Sequence, residues 1–165
     1  MESPDIIDTL IDEWQKERPE LDVAAMAVVG RILSLGKTLE KRAGNALKDC
    51  GIYYTDLDVL ATLRRSGAPY ALTPTQLMQS VLITSGAMTA LLERLTKLEM
   101  IYQKPDEHDK RIKRAVLTPK GIETINKAIE IRFKEAQNSI SVLNKKEQKE
   151  LAHLLKKLML TVANN

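Results

Sequence analysis

Residues 72–121 read LTPTQLMQSVLITSGAMTALLERLTKLEMIYQKPDEHDKRIKRAVLTPKG, and the order of elements in this stretch decides the fold. Thr73-Pro74-Thr75-Gln76 opens it with a capping box: a Thr cap, Pro at the first helical position and Gln at the third. The helix it starts is brief and ends near Ser80. Thr84 caps a longer helix through about Glu99, with Met88, Leu91, Leu92, Leu95 and Leu98 spaced to face inward. The pattern then changes. Ile101–Lys104 and Arg114–Leu117 predict two short strands, and the polar segment from Pro105 to Lys113 predicts the long tip of a hairpin. Short helix, tight turn, longer helix, charged hairpin is the order of a winged helix-turn-helix.

Outward from this centre the chain reads as helical. Residues 5–17 predict a short helix, with Ile6, Ile7, Leu10, Ile11 and Trp14 at spacings of three and four. Arg18-Pro19 interrupts it. A longer helix runs from about Asp22, which can cap it, to Asp49, and Cys50-Gly51 marks its end. Thr55 can cap a third helix through Arg65, followed by the loop Ser66-Gly67-Ala68-Pro69. On the far side, Thr118-Pro119 caps a helix to about Ser141. Asn144 with Glu147 makes a further capping box, and the last helix carries Leu151, Leu154, Leu155, Leu158 and Val162 on one face.

Bulk properties narrow the class. With 165 residues the chain has the length of one compact domain with a real core. No apolar run is long enough for a membrane span, and the acidic N-terminus does not read as a secretory signal. A single cysteine, Cys50, excludes an intramolecular disulfide framework, so a cytoplasmic location is expected. The net charge of +3 is unevenly spread: Arg94 to Lys120 holds eight cations against four anions, while the first 22 residues are strongly acidic. A basic centre of this kind suits a polyanion, and it equally suits an ordinary solvated face.

Several segments resemble the MarR family of transcriptional regulators. The most specific is Asp109-Lys110-Arg111 followed by Leu117-Thr118-Pro119-Lys120-Gly121, which is similar to the family's wing motif. Leu60–Leu63, Leu72–Leu77 and Thr84–Thr89 look like its second, third and fourth helices. The resemblance covers about residues 24–161. It implies a mainly α fold with a small β-hairpin wing, a winged helix-turn-helix lobe at 51–118, and an intertwined dimerisation region formed by helices in 5–50 and 119–165. It further implies a homodimer on a pseudo-palindromic operator in double-stranded DNA, acting as a repressor that a small molecule releases.

The resemblance also implies roles for particular residues. Arg111 becomes the wing-tip arginine of the minor groove, oriented by Asp109 through a charge-assisted hydrogen bond. Thr84, Ser85, Met88 and Thr89 occupy the exposed start of the recognition helix, where hydroxyls can reach phosphates or base edges and Met88 can touch a thymine methyl. Thr73, Gln76, Arg94, Lys110 and Lys113 complete the candidate DNA-binding set. The chain departs from the family at Ala90, Glu99 and Gln103, where Arg, Gly and Arg are usual. The loss of a guanine reader at Ala90 shifts readout toward DNA shape.

Trp14 and Asp58 resemble positions used by a urate-responsive branch, and with Tyr54 they form a candidate effector pocket. The two arginines of that branch fall on Leu91 and Gln103, so urate itself is not expected. Trp14 reads first as a residue that packs the short helix onto the core. His108 and His153 stand far apart and outside any ligand cluster, so no metal, cofactor or catalytic role is expected of them. Cys50 at a helix end reads as a structural thiol. Two other classes compete with this reading. A winged module for protein partners is opposed by the basic wing. A small enzyme lacks a nucleophile–base–acid set, a phosphate-binding glycine loop and a metal cluster.

Overall fold

The computed structural model describes residues 3–81, 85–106 and 109–162. The chain divides after Arg42 into two compact units. In the first, α1 (Ile6–Glu17) is capped by Asp5, whose carboxylate accepts the N–H groups of Ile7 and Asp8. Asp8 returns the favour by accepting the Asp5 N–H at 3.0 Å. Arg31, on α2 (Ala24–Ala46), donates to both carboxylates and holds that of Asp8 below the usual carboxylate range. Between α1 and α2 lies an apolar groove of about 500 Å³, lined by Ile7, Leu10, Trp14, Val23 and Met26 among others.

The second unit begins with the end of α2 and a 3-10 turn, Lys48–Cys50, stopped by Gly51 in the left-handed conformation. It continues with α3 (Tyr54–Arg65), β1 (Ala71–Leu72), α4 (Pro74–Ser80), α5 (Ser85–Lys97), β2 (Ile101–Pro105), β3 (Lys113–Leu117), α6 (Pro119–Ser139) and α7 (Lys145–Val162). The three strands form one antiparallel sheet with β3 in the middle. Ile101 pairs with Leu117 and Pro105 with Lys113, while Ala71 of β1 pairs with Val116. Leu47, Leu60, Leu63, Leu77, Met88, Leu95, Ile101 and Ile125 are fully or almost fully buried, so one core joins α3, α4, α5, the sheet and α6.

Local chemistry explains most boundaries. The Thr73–Gln76 box is present in both directions: Thr73 Oγ1 accepts the Gln76 N–H, and Gln76 Oε1 accepts the Thr73 N–H. Thr118 Oγ1 accepts the Gly121 N–H at 2.9 Å and lies 2.7 Å from the Glu99 carbonyl, to which it donates. This ties the start of α6 to the turn at Glu99, a left-handed residue with φ of 60° where glycine would be easier. Gly121 must itself be glycine. A Cβ there would lie 2.0 Å from the carbonyl oxygen of Met100.

Some elements differ from the sequence reading. The third helix starts at Tyr54 rather than after a Thr55 cap, because the Asp56 side chain accepts the Tyr53 N–H at 2.8 Å and closes the helix two residues earlier. The helix expected to reach Asp49 stops at Ala46 and tightens into the 3-10 turn. The two-residue β1 was not expected at all; it exists only as a partner for β3. The Thr84 cap lies outside the described residues. Among the described residues, no helix is long and apolar enough to cross a membrane.

Apolar side chains also remain uncovered. Leu151, Leu154 and Leu158 on α7 stay 42%, 51% and 43% exposed, and α7 buries none of its residues. On α2, Val28, Ile32, Leu35 and Leu39 are likewise exposed.

Candidate nucleic-acid interface

The hairpin of β2 and β3 carries its charged tip on a chain of carboxylates. Asp106, at the end of β2, is buried and pairs with Arg114 of β3, whose guanidinium also donates to the Ala71 carbonyl at 3.4 Å. The other Asp106 oxygen accepts the backbone N–H of Asp109 at 3.1 Å. Asp109 in turn accepts the Arg111 backbone N–H at 3.0 Å and both the Nε and Nη2 of its side chain, also at 3.0 Å. The Arg111 guanidinium beside Asp109 holds that carboxyl below the usual carboxylate range. Backbone bonds close the turn: the Ile112 N–H donates to the Asp109 carbonyl and the Asp106 N–H to that of Ile112. The Arg111 side chain is nevertheless 91% exposed, and Lys110 and Lys113 are exposed on either side. An arginine fixed in direction yet open to solvent presents a rigid fork of donors to an anion.

On α5 the exposed positions are Gly86, Ala87, Thr89, Ala90, Glu93, Thr96 and Lys97. Thr89 therefore stands on the outer face as expected. Met88 does not: it is 1% exposed and packs in the core among Leu91, Leu92 and Leu95, because the period that makes this helix amphipathic turns it inward. Buried there, it does not reach a groove. Thr84 lies outside the described residues, and Ser85 is placed only as the first residue of α5. Thr73 and Gln76 sit at the start of α4 with their side chains turned to each other's backbone, so their local role is to build the helix terminus.

Arg94, a member of the candidate DNA-binding set, makes its contacts within the protein. Its Nε lies 3.2 and 3.3 Å from the two oxygens of Asp56, a carboxylate with no solvent exposure. Its guanidinium carbon lies 4.2 Å from the centroid of the Tyr53 ring. Sequence reasoning missed Asp56, Tyr53, Asp106 and Arg114. The spacing of Tyr53 and Asp56 does carry a capping signal, but nothing local announces the pairing with Arg94.

The candidate effector residues fall in different units. Trp14 belongs to the first unit, where it lines the groove of α1 and α2. Tyr54 and Asp58 lie on α3 in the second. Arg132 of α6 lies over the Tyr54 ring at 5.9 Å. Burial pushes the Asp58 carboxyl up, against the opposing pull of Arg65 and Arg132. Among the described residues, no three His, Cys, Asp or Glu side chains gather in a way that could hold a metal ion. Cys50 is half-buried, His153 is exposed on α7, and His108 lies outside the described residues.

Known proteins share this fold. Residues 51–112 match the model of the MarR family. The HTH-type transcriptional regulator PecS of Dickeya dadantii is 29% identical over 159 residues, spanning 96% of each chain. Among solved structures, a MarR variant from E. coli complexed with operator DNA superposes with a TM-score of 0.72 at 22% identity, covering 88% of this chain and 97% of that one. The BpsR protein of Bordetella bronchiseptica, whose DNA binding is regulated by 6-hydroxynicotinic acid, gives a TM-score of 0.70 at 21% identity, covering 79% and 91%.

Proposed function

We propose that the chain, residues 51–112 of which match the MarR family model, is a MarR-type, sequence-specific regulator of transcription that binds double-stranded DNA as a homodimer in the cytoplasm. The observation that carries this reading is Arg111, exposed at the hairpin tip and held in direction by Asp109. In this reading the start of α5, with Ser85 and Thr89, enters the major groove. The wing brings Arg111 to the minor groove, and Lys110 and Lys113 to the flanking phosphates. The MarR-type domain takes in residues 24–161, with the DNA-reading lobe at 51–118 and dimerisation helices drawn from 5–50 and 119–165. The exposed leucines of α2 and α7 support the pairing of two copies.

The protein acts as a repressor whose grip a small molecule relaxes; the regulation of BpsR by an aromatic acid supports this. Trp14, Tyr54 and Asp58 are the side chains to substitute in the search for that effector. The test is selection of bound duplexes from genomic fragments, followed by footprinting. Two related half-sites about 10 base pairs apart, centre to centre, are expected. A single asymmetric contact, or no selected sequence at all, sinks the proposal.

A further inference from the structure

Arg94 lies on neither the core face nor the outer face of α5. The buried line of that helix runs through Met88, Leu91, Leu92 and Leu95, and the exposed line through Thr89, Glu93 and Lys97. Arg94 sits on the flank between them. There its Nε meets both oxygens of Asp56, the carboxylate that also accepts the Tyr53 N–H and so closes the first turn of α3. An ionised carboxylate without solvent needs a cation and donors, and Arg94 and the Tyr53 N–H supply them. The Tyr53 ring, itself 65% exposed, covers the guanidinium. Three groups thus join the start of α3 to the middle of α5 at a point off the core axis. Such a point resists rotation of α5 about its own length, which a single line of packed leucines controls less tightly.

Building on the DNA-binding reading above, we propose that Arg94 is a positioning residue: anchored on Asp56 and covered by Tyr53, it sets the rotation of α5 in the groove instead of neutralising a phosphate. The two roles differ in their signatures. A phosphate contact contributes equally to all duplexes and to the salt dependence. A positioning clamp contributes to the preference for the right sequence.

The experiment measures anisotropy titrations, at several salt concentrations, on two duplexes: one selected by the wild-type protein and its scrambled counterpart. Folded state is checked by circular dichroism and melting. Asp56→Asn, which keeps the shape and removes the charge, and Arg94→Ala are each expected to lower the ratio of selected to scrambled affinity by about tenfold. Binding to the scrambled duplex and the salt slope stay at wild-type values, and the double variant loses no more than either single one. Tyr53→Phe keeps the ratio, and Tyr53→Leu, a change at an exposed side chain that leaves the fold intact, lowers it. Should Asp56→Asn fail to fold, Arg94→Lys and Tyr53→Leu decide the matter, since lysine lacks the planar group that bonds and stacks. The inference is overturned if Arg94→Ala weakens both duplexes alike and flattens the salt slope by about one, or if the Tyr53→Leu and Arg94→Lys ratios match wild type. A wild-type protein that selects no duplex overturns the underlying reading instead, before any variant is made.

Discussion

Arg111 grips Asp109 through two parallel hydrogen bonds of 3.0 Å, Nε to one carboxylate oxygen and Nη2 to the other. The partners stand two residues apart, the arginine almost wholly in solvent and the aspartate half-buried, so the pair adds little to the fold. Its effect is to select one direction for a side chain that would otherwise sample many, which reduces the ordering cost of an encounter with an anion.

Replacement of Arg111 by Ala is therefore expected to weaken binding to a selected duplex by ~1–3 kcal/mol per contact while the melting temperature stays within about 1 °C of wild type. Asp109→Ala should cost less, since it removes the orienting group together with a negative charge near phosphate. Lys113→Ala should act nearly equally on all sequences and flatten the salt slope by about one unit. Anisotropy titrations with parallel melts check all three. A collapsed melting temperature for Arg111→Ala would give that residue a structural role.

Asp58 offers a pH test. Burial raises its carboxyl above the ordinary value of 3.8 in the folded chain, with Arg65 and Arg132 opposing only in part. The sign follows from linkage: the folded state favours the neutral acid, so the favourable contribution is complete below 3.8 and is lost as the pH rises through the raised value. At neutral pH the ionised group therefore works against folding. Asp58→Asn should raise the melting temperature at pH 7, and the gain should disappear as the acid region is entered. Melts across a pH series measure it, and a gain that persists unchanged below the ordinary carboxylate range would contradict the assignment.

Gly121 is the position where one methyl group matters most. The Met100 carbonyl oxygen occupies the space a Cβ would need, and it is backbone that cannot swing away. Gly121→Ala should destabilise the chain by roughly 2–4 kcal/mol in urea unfolding. A loss below about 0.5 kcal/mol would show that the start of α6 can shift freely.

Charge on the exposed face of α7 should dissociate the dimer. Leu154→Glu with Leu158→Glu changes side chains that are 51% and 43% exposed, so each chain should stay folded. Sedimentation should show wild type as a dimer and the double variant as a monomer at micromolar concentration. Wild type sedimenting as a monomer would remove the basis for paired half-sites.

Much of this fold is legible in the sequence where the cause is local. The Thr73, Thr118 and Asn144 caps each bond to a backbone group within three residues, and all three are present. The paired strands fall within one residue of their expected ends, because the helical spacing of apolar residues stops abruptly at Met100. What escaped is what only three dimensions bring together. Asp56 and Arg94 stand 38 residues apart, and a buried carboxylate looks no different in sequence from a solvated one. Asp106 and Arg114 meet only through the register of β2 on β3. Met88 shows a conflict of another kind. Its spacing puts it inside and the family's pattern invites it to the groove, and in a helix of thirteen residues the apolar period prevails.

The central place of β3 gives the molecule a mechanical property. One of its edges bonds to β1, which leads within two residues into α4; the other bonds to β2, which carries the hairpin tip. Arg114 adds a side-chain rivet from the same strand to the Ala71 carbonyl. Amide protons along Ala115–Leu117 should thus exchange as one cooperative group, and the event that exposes them frees the α4 entrance and the arginine-bearing tip together.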